Sequence, residues 1–153
     1  MTKNFHDEDY DLSLKLFIVL LRSSRSVADY IEEDIKNYNL NKTEFAVLEL
    51  LYHKGEQPIQ QIGKKVLLSS GSITYVVDKL EKKELIVRRL SEKDRRVTYA
   101  VITEKGNHFM AEIFPKNRET IHQLLNPLSD EQKKMMIDTL KIIGYRADQL
   151  QQK

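Results

Sequence analysis

Apolar side chains recur at close to 3.6-residue intervals from Asp11 to Tyr38: Leu12, Leu16, Val19 and Leu20, Val27, Ile31 and Ile35, with charges between them. That spacing predicts one long amphipathic helix, ended by Asn37-Tyr38-Asn39. Asn41 opens a shorter helix, with Glu44 three residues on in a capping-box pattern. Phe45, Leu48, Leu51 and Tyr52 supply its buried stripe, and His53-Lys54-Gly55 closes it with cations and a glycine cap. Pro58 pushes Gln57 out of the helical region, so Gln57-Pro58-Ile59 reads as a brief extended link. Two short helices follow. Ile59 to Val66 carries Ile59, Ile62 and Val66 on one side. Leu67-Leu68 turns the chain, Ser69 or Ser70 caps the next helix, and Ile73, Val76, Val77 and Leu80 face inward along it to about Lys83.

The period then changes. Ile86 to Leu90 and Val97 to Ile102 are rich in β-branched residues, and the polar segment Ser91–Arg96 joins them, which predicts a β-hairpin. Thr103 caps a further helix with Glu104 in its first turn and Phe109, Ile113, Phe114, Ile121, Leu124 and Leu125 along it. Pro115 inside that helix predicts a kink near Ala111, whose carbonyl loses its partner. Asn126-Pro127 separates it from a last helix, which starts at Ser129 with Gln132 as its capping-box partner. There Met136, Leu140, Ile143, Ala147 and Leu150 step by alternating fours and threes, a coiled-coil-like seam.

Composition narrows the class. The chain has 153 residues, 41% of them hydrophobic and 31% charged, with five glycines and three prolines. Those values fit one domain, or one domain with helical arms, and favour long helices over a many-turned β architecture. Cysteine is absent, which excludes disulfides, thiolate metal sites and cysteine redox sensing. His6, His53, His108 and His122 show no metal-ligand spacing, so neither metal nor cofactor is expected. Asp7, Glu8, Asp9 and Asp11 stand where a secretory leader would be basic and apolar. The longest near-apolar run, Leu16 to Leu21, is too short for a bilayer, so no membrane partner and a cytoplasmic location are expected. Net charge is only +2, but Ile59 to Lys105 holds 11 Lys/Arg against 6 Asp/Glu. Positive charge is thus concentrated in the middle third, as a phosphate-facing module requires.

Two short helices joined by a tight turn form a helix-turn-helix, whose second helix enters the major groove of DNA. Its outward positions are Ser69, Ser70, Ser72, Thr74 and Tyr75, with Asp78 and Lys79 a turn later. Small hydroxyl residues allow close approach to base edges and phosphates, and the free N–H groups of the first turn favour anions. No Arg, Asn or Gln lies there for a bidentate base contact, so phosphate contacts and DNA shape should carry more weight. The hairpin tip offers Lys93, Arg95 and Arg96, suited to the negative potential of a narrow minor groove. Asp94 would be repelled by phosphates, and its expected role is to hold a neighbouring arginine and fix the turn. Arg88 and Arg89 point to opposite faces of the first strand, so only one of them can face DNA; Arg88 is the candidate.

Leu80-Glu81-Lys82-Lys83, Leu85-Ile86-Val87-Arg88, and above all Asp94, Arg96, Ile102, Thr103 and Gly106 carry a resemblance to the MarR family of bacterial transcriptional regulators. The last group matches the family's Asp-x-Arg-x5-Leu-Thr-x-x-Gly wing signature, with Ile102 in place of leucine. The resemblance covers about Asp11 to Leu150. Leu68-Ser69-Ser70-Gly71-Ser72-Ile73-Thr74 is similar to the branch responding to quinones and other aromatic electrophiles. One departure is Glu84, where many relatives have glycine at the end of the recognition helix. A left-handed cap on a non-glycine residue costs roughly 1 kcal/mol, so either the helix ends differently or the wing pivots on a strained joint.

The fold implied is mainly α with a small β-hairpin wing: a winged helix-turn-helix domain plus long N- and C-terminal dimerisation helices. Residues 41–105 would be the DNA-reading part (59–83 the helix-turn-helix, 86–102 the wing) of a single domain. Residues 11–38 and 104–151 would make a homodimer. Apolar stripes of that length exceed what one small domain covers, which points the same way, although packing within one chain is the alternative. Leu12, Leu16, Met136, Leu140, Ile143 and Leu150 are the expected dimer contacts. The resemblance further implies double-stranded DNA as partner, bound at a pseudo-palindrome, and a small aromatic or phenolic effector that relieves repression. Phe17, Phe45, Tyr52, His53 and Phe109 could line the effector cleft, or could simply be core residues. No nucleophile–base arrangement, phosphate loop or carboxylate pair supports an enzyme. The rival reading is a winged-helix module that contacts protein rather than DNA.

Overall fold

The computed structural model of the chain describes residues 5–66 and 70–152. In chain order the elements are α1 (Phe5–Lys36), α2 (Lys42–Lys54), β1 (Gln57–Pro58), α3 (Ile59–Lys65), α4 (Ser70–Lys82), β2 (Ile86–Leu90), β3 (Thr98–Ile102), α5 (Glu104–Leu125) and α6 (Asp130–Gln151). They fall into two units, one ending at Asn117 and the other beginning at Arg118.

In the first unit α1 is already helical at Phe5, several residues before the apolar period predicts. Acidic residues in opening turns are favourable at the positive end of a helix dipole. Among the described residues, α1 reaches the core at its C-terminal end, through Ile35 and the following Leu40, both 4% exposed. Asn39 leaves the helix at φ 58, a left-handed position that asparagine tolerates better than most residues. Asn41 caps α2 as predicted, its side chain accepting the Glu44 N–H at 2.8 Å. Glu44 does not complete the capping box. Its carboxylate is buried and takes a hydrogen bond from Lys83 Nζ at 2.6 Å. A full cationic partner at the end of α4 outcompetes a backbone N–H for the carboxylate.

Gly55 ends α2 at φ 78, with its N–H on the Leu51 carbonyl, and the positive φ explains glycine there. The chain then forms β1, which the sequence pattern registers only as a link. Gln57 pairs with Ala100 and Pro58 with Tyr99, antiparallel, giving a sheet ordered β1-β3-β2. An edge strand tolerates proline because one ladder donor is dispensable there. β2 and β3 pair from Ile86↔Ile102 to Leu90↔Thr98. The core gathers Val47, Leu48, Leu51, Ile62, Val77 and Leu80 under Ile86, Ala100 and Met110, all at most 1% exposed.

α5 opens as expected. Thr103 Oγ1 accepts the Gly106 N–H at 2.9 Å and donates to the Glu84 carbonyl at 2.7 Å. The helix continues through Pro115 as one element. Ala111 and Pro115 are both exposed, which leaves the carbonyl that proline cannot pair within reach of solvent. Within the first unit, buried Asn117 of α5 donates to Asp34 of α1 at 3.1 Å.

The second unit holds the end of α5 and α6. Ser129 and Gln132 form the predicted reciprocal capping box at 3.2 and 2.9 Å. No residue of α6 is buried. Met136, Leu140 and Leu150 are 47%, 43% and 52% exposed and Ile143 is half-buried. On α1, in the first unit, Leu12 and Leu16 are likewise exposed.

Candidate nucleic-acid interface

α3 and α4 are consecutive helices joined through residues 66–69, the spacing of a helix-turn-helix. Ser69 lies outside the described residues, and Ser70 and Ser72 are described only as helical backbone. Ile73, Val76, Val77 and Leu80 are buried, as the period predicts, which turns Thr74, Tyr75 and Asp78 outward. Lys79 is half-buried, with its Nζ 4.8 Å from the Tyr75 ring centroid, a cation–π contact on the exposed side of α4.

The hairpin tip is a compact hydrogen-bonded turn. Ser91 Oγ accepts the N–H groups of Lys93 and Asp94, each at 3.3 Å, and the Val97 N–H donates to the Asp94 carbonyl at 2.9 Å. Asp94 grips Arg96: Oδ1 accepts from its backbone N–H and its Nε, and Oδ2 from the guanidinium, all at 3.1 Å. Those side-chain and backbone hydrogen bonds hold the Asp94 carboxyl below its ordinary value. Arg96 nevertheless stays 90% exposed. Lys93 and Arg95 project with no side-chain partner among the described residues.

The strand arginines take opposite faces, as alternation requires. Arg89 donates to Glu56 at 2.6 Å and lies 5.1 Å from the Tyr99 ring, and Glu56 raises its pKa. Arg88, the residue expected to face DNA, turns onto α4 instead. It donates to Glu81 Oε1 at 2.8 Å and also binds Asp78, while its backbone N–H meets Glu81 Oε2 at 3.2 Å. Partial burial would lower its pKa, yet the two carboxylates outweigh that and raise it. The spacing of Asp78 and Glu81 on one helix face could have signalled this partner.

The joint between α4 and the wing forms at Glu84. Its φ is 61, so the non-glycine residue does adopt the left-handed cap. The Glu84 N–H bonds the Glu81 carbonyl at 2.9 Å and the Leu85 N–H bonds the Leu80 carbonyl at 3.1 Å, the paired pattern of a Schellman motif. Lys105 Nζ reaches Glu84 Oε2 at 3.0 Å, and the Thr103 N–H donates to the Leu85 carbonyl at 3.0 Å. Gly106 sits so close that a Cβ there would lie 2.2 Å from the Leu85 oxygen. The signature residues Thr103 and Gly106 therefore act as the backstop of the wing joint.

The aromatic candidates separate. Phe45 is a core residue at 4% exposure, Phe17 is 57% exposed, and Phe109 is half-buried. Tyr52 and exposed His53 do meet, with ring centroids 5.1 Å apart, and Phe114 joins them at 4.6 Å from His53. Among the described residues, no group of three or more His, Asp or Glu is placed to hold a metal, and no helix is long and apolar enough to cross a membrane.

A helix-turn-helix whose second helix is tied to a cationic β-hairpin defines a winged-helix transcriptional regulator. Comparison with known proteins agrees. Residues 40–98 match the profile of the MarR family. The HTH-type transcriptional regulator MhqR of Bacillus subtilis is 56% identical over 92% of this chain and 97% of its own length. AbsC, a MarR family transcriptional regulator from Streptomyces coelicolor, superposes with a TM-score of 0.83 over 90% of this chain and 95% of its own, at 20% identity. Sco3205, a MarR family regulator from the same organism solved in complex with DNA, gives 0.80 over 86% and 88%, at 16% identity. The chain belongs to the MarR family of transcriptional regulators.

Proposed function

We propose that this regulator is a homodimeric repressor that binds a pseudo-palindromic operator and lets go when a small aromatic or phenolic effector binds. The observation carrying the DNA reading is the wing tip, where Lys93, Arg95 and Arg96 are all exposed on a hairpin that follows α4. Residues 41–105 read the operator. Thr74, Tyr75 and Lys79, with the serines at 69, 70 and 72, meet the major groove, and the wing arginines meet the minor groove. The exposed apolar residues of α1 and α6, Leu12, Leu16, Met136, Leu140 and Leu150 among them, are covered by a second copy of the chain. A twofold dimer places its half-sites about 34 Å apart, one helical turn. The effector site draws on Tyr52 and His53, with Phe114 added to the expected set. The effector acts by preferring a dimer whose two heads no longer match that spacing. The chain carries out no catalysis in this role, which it performs in the cytoplasm, where its operator is.

Footprinting the purified protein on its own upstream DNA, with and without phenolic compounds, tests the reading. Protection of two half-sites a turn apart, lost with effector, is expected. The double variant Arg95→Ala/Arg96→Ala should lower duplex affinity and flatten its dependence on salt. Unchanged operator affinity and salt slope in that variant would refute the wing's role.

A further inference from the structure

Arg88 occupies the strand face from which a wing arginine could be expected to reach a phosphate. We propose instead that Arg88 is a positioning residue: Asp78 and Glu81 withhold it from DNA and use it to lock the wing to the recognition helix. The inference rests on the DNA-binding reading above and deepens it. Asp78 and Glu81 stand three residues apart on α4, so both carboxylates face β2. The guanidinium of Arg88 bridges them, and a planar fork of donors holds two carboxylates at a defined angle, as a lysine could not. The backbone N–H of Arg88 is bound to Glu81 as well, at 3.2 Å, so the strand itself is pinned to the helix and not only its side chain.

Charge decides between the two roles. One guanidinium between two carboxylates leaves the trio with a net charge of −1. A phosphate approaching Arg88 would meet that net negative charge and would compete with two carboxylates already bound to the guanidinium. The side chain of Arg88 is also only 28% exposed, against 90% for Arg96 at the tip. Asp78 has the complementary difficulty. It lies one turn beyond Thr74 on the exposed face of α4 and is 51% exposed, where a bare carboxylate would repel the duplex. Pairing with Arg88 masks it. The same contact therefore sets the angle between the two DNA-reading elements and removes a repulsive charge from between them.

The test uses the full-length protein and a duplex carrying its own upstream sequence, with affinity measured by fluorescence anisotropy across a series of salt concentrations. Arg95→Ala serves as the internal reference. Loss of one phosphate contact should flatten the log–log salt slope by about 0.9. Arg88→Met should lower affinity several-fold while flattening the slope by clearly less than Arg95→Ala does. A slope flattened as much as in Arg95→Ala would overturn the proposal. The variant Asp78→Asn/Glu81→Gln keeps Arg88 but releases it, and its slope should steepen; an unchanged slope would also overturn the proposal. Urea unfolding of Arg88→Met, Glu81→Gln and their combination reports on the clamp without DNA. The combined variant should lose less midpoint than the two single losses together, and strict additivity would refute the clamp. Absence of salt-dependent DNA binding by the unmodified protein would refute the DNA-binding reading itself, and the unfolding cycle would still judge the clamp.

Discussion

Replacing Gly106 with alanine probes the joint on which the wing is mounted. Gly106 lies in the first turn of α5, where an added Cβ would stand 2.2 Å from the Leu85 carbonyl oxygen, 2.7 Å from Ile102 Cγ1 and 3.1 Å from the Leu85 carbonyl carbon. Relief requires α5 to move away from Leu85 by about 1.2 Å or more, to ordinary contact distance. That movement pulls on two hydrogen bonds, Thr103 N–H to the Leu85 carbonyl and Thr103 Oγ1 to the Glu84 carbonyl. Overpacking costs about 1–3 kcal/mol and each hydrogen bond contributes about 1. Alanine's helix propensity returns about 1 kcal/mol. The expected net loss is about 2–4 kcal/mol, or a Tm lower by roughly 5–15 °C for a chain of this size. Gly144→Ala is the comparison at a site open within the chain, nothing lying within 4 Å of its Cβ position in α6. Within the protomer, propensity alone raises stability by up to about 1 kcal/mol. Urea unfolding followed by circular dichroism, at one fixed protomer concentration, measures both, since a dimer's stability depends on concentration. A Gly106→Ala protein within about 0.5 kcal/mol of the parent would refute the close-approach argument, which requires several times that.

Other perturbations test neighbouring parts of the same device. Glu84→Gly relieves a left-handed residue worth about 1–2 kcal/mol, offset by glycine's greater unfolded entropy and by loss of the exposed Lys105 pair; the net should be a gain of up to about 1 kcal/mol. A loss of that size in urea unfolding would contradict the strain assigned to φ 61. Lys83→Met leaves Glu44, 4% exposed, without its cation and strips a donor from the Asn39 carbonyl, and should cost about 2–3 kcal/mol. Adding Glu44→Gln to that variant should recover part of the loss, and no recovery would sink the ion-pair account. Because Asp94 titrates below the usual carboxylate value, its support of the wing turn is complete above that value and disappears as pH falls through the lowered one. An NMR titration of the Asp94 carboxyl should therefore give a midpoint below about 3.9, and a midpoint at or above it would remove the Arg96 grip from the account.

What could be read from the chain, and what could not, divides by the range over which each signal acts. The helices of the core, the Ser129–Gln132 box, the Thr103 cap and the two hairpin strands all follow from period, capping and turn chemistry within a few residues, and they stand where that chemistry puts them. The Asp94–Arg96 grip spans two residues and was equally legible. β1 escaped because two residues cannot display an alternation; only pairing with Ala100 and Tyr99 makes them a strand. The capping-box pattern offers Glu44 the nearest available N–H, but the fold brings Lys83 to it from 39 positions away. Arg88 and Arg89 show the same rule on the wing itself. Strand alternation correctly put them on opposite faces, yet the partners that occupy them, ten and 33 residues distant, come from tertiary approach. A basic side chain on a DNA-binding element is therefore ambiguous until its nearest carboxylate is known. By that criterion the wing cations without a carboxylate partner among the described residues are Lys93 and Arg95 at the tip, Arg96 is exposed but held by Asp94, and Arg88 and Arg89 on the strand are tied to Glu81 and Glu56.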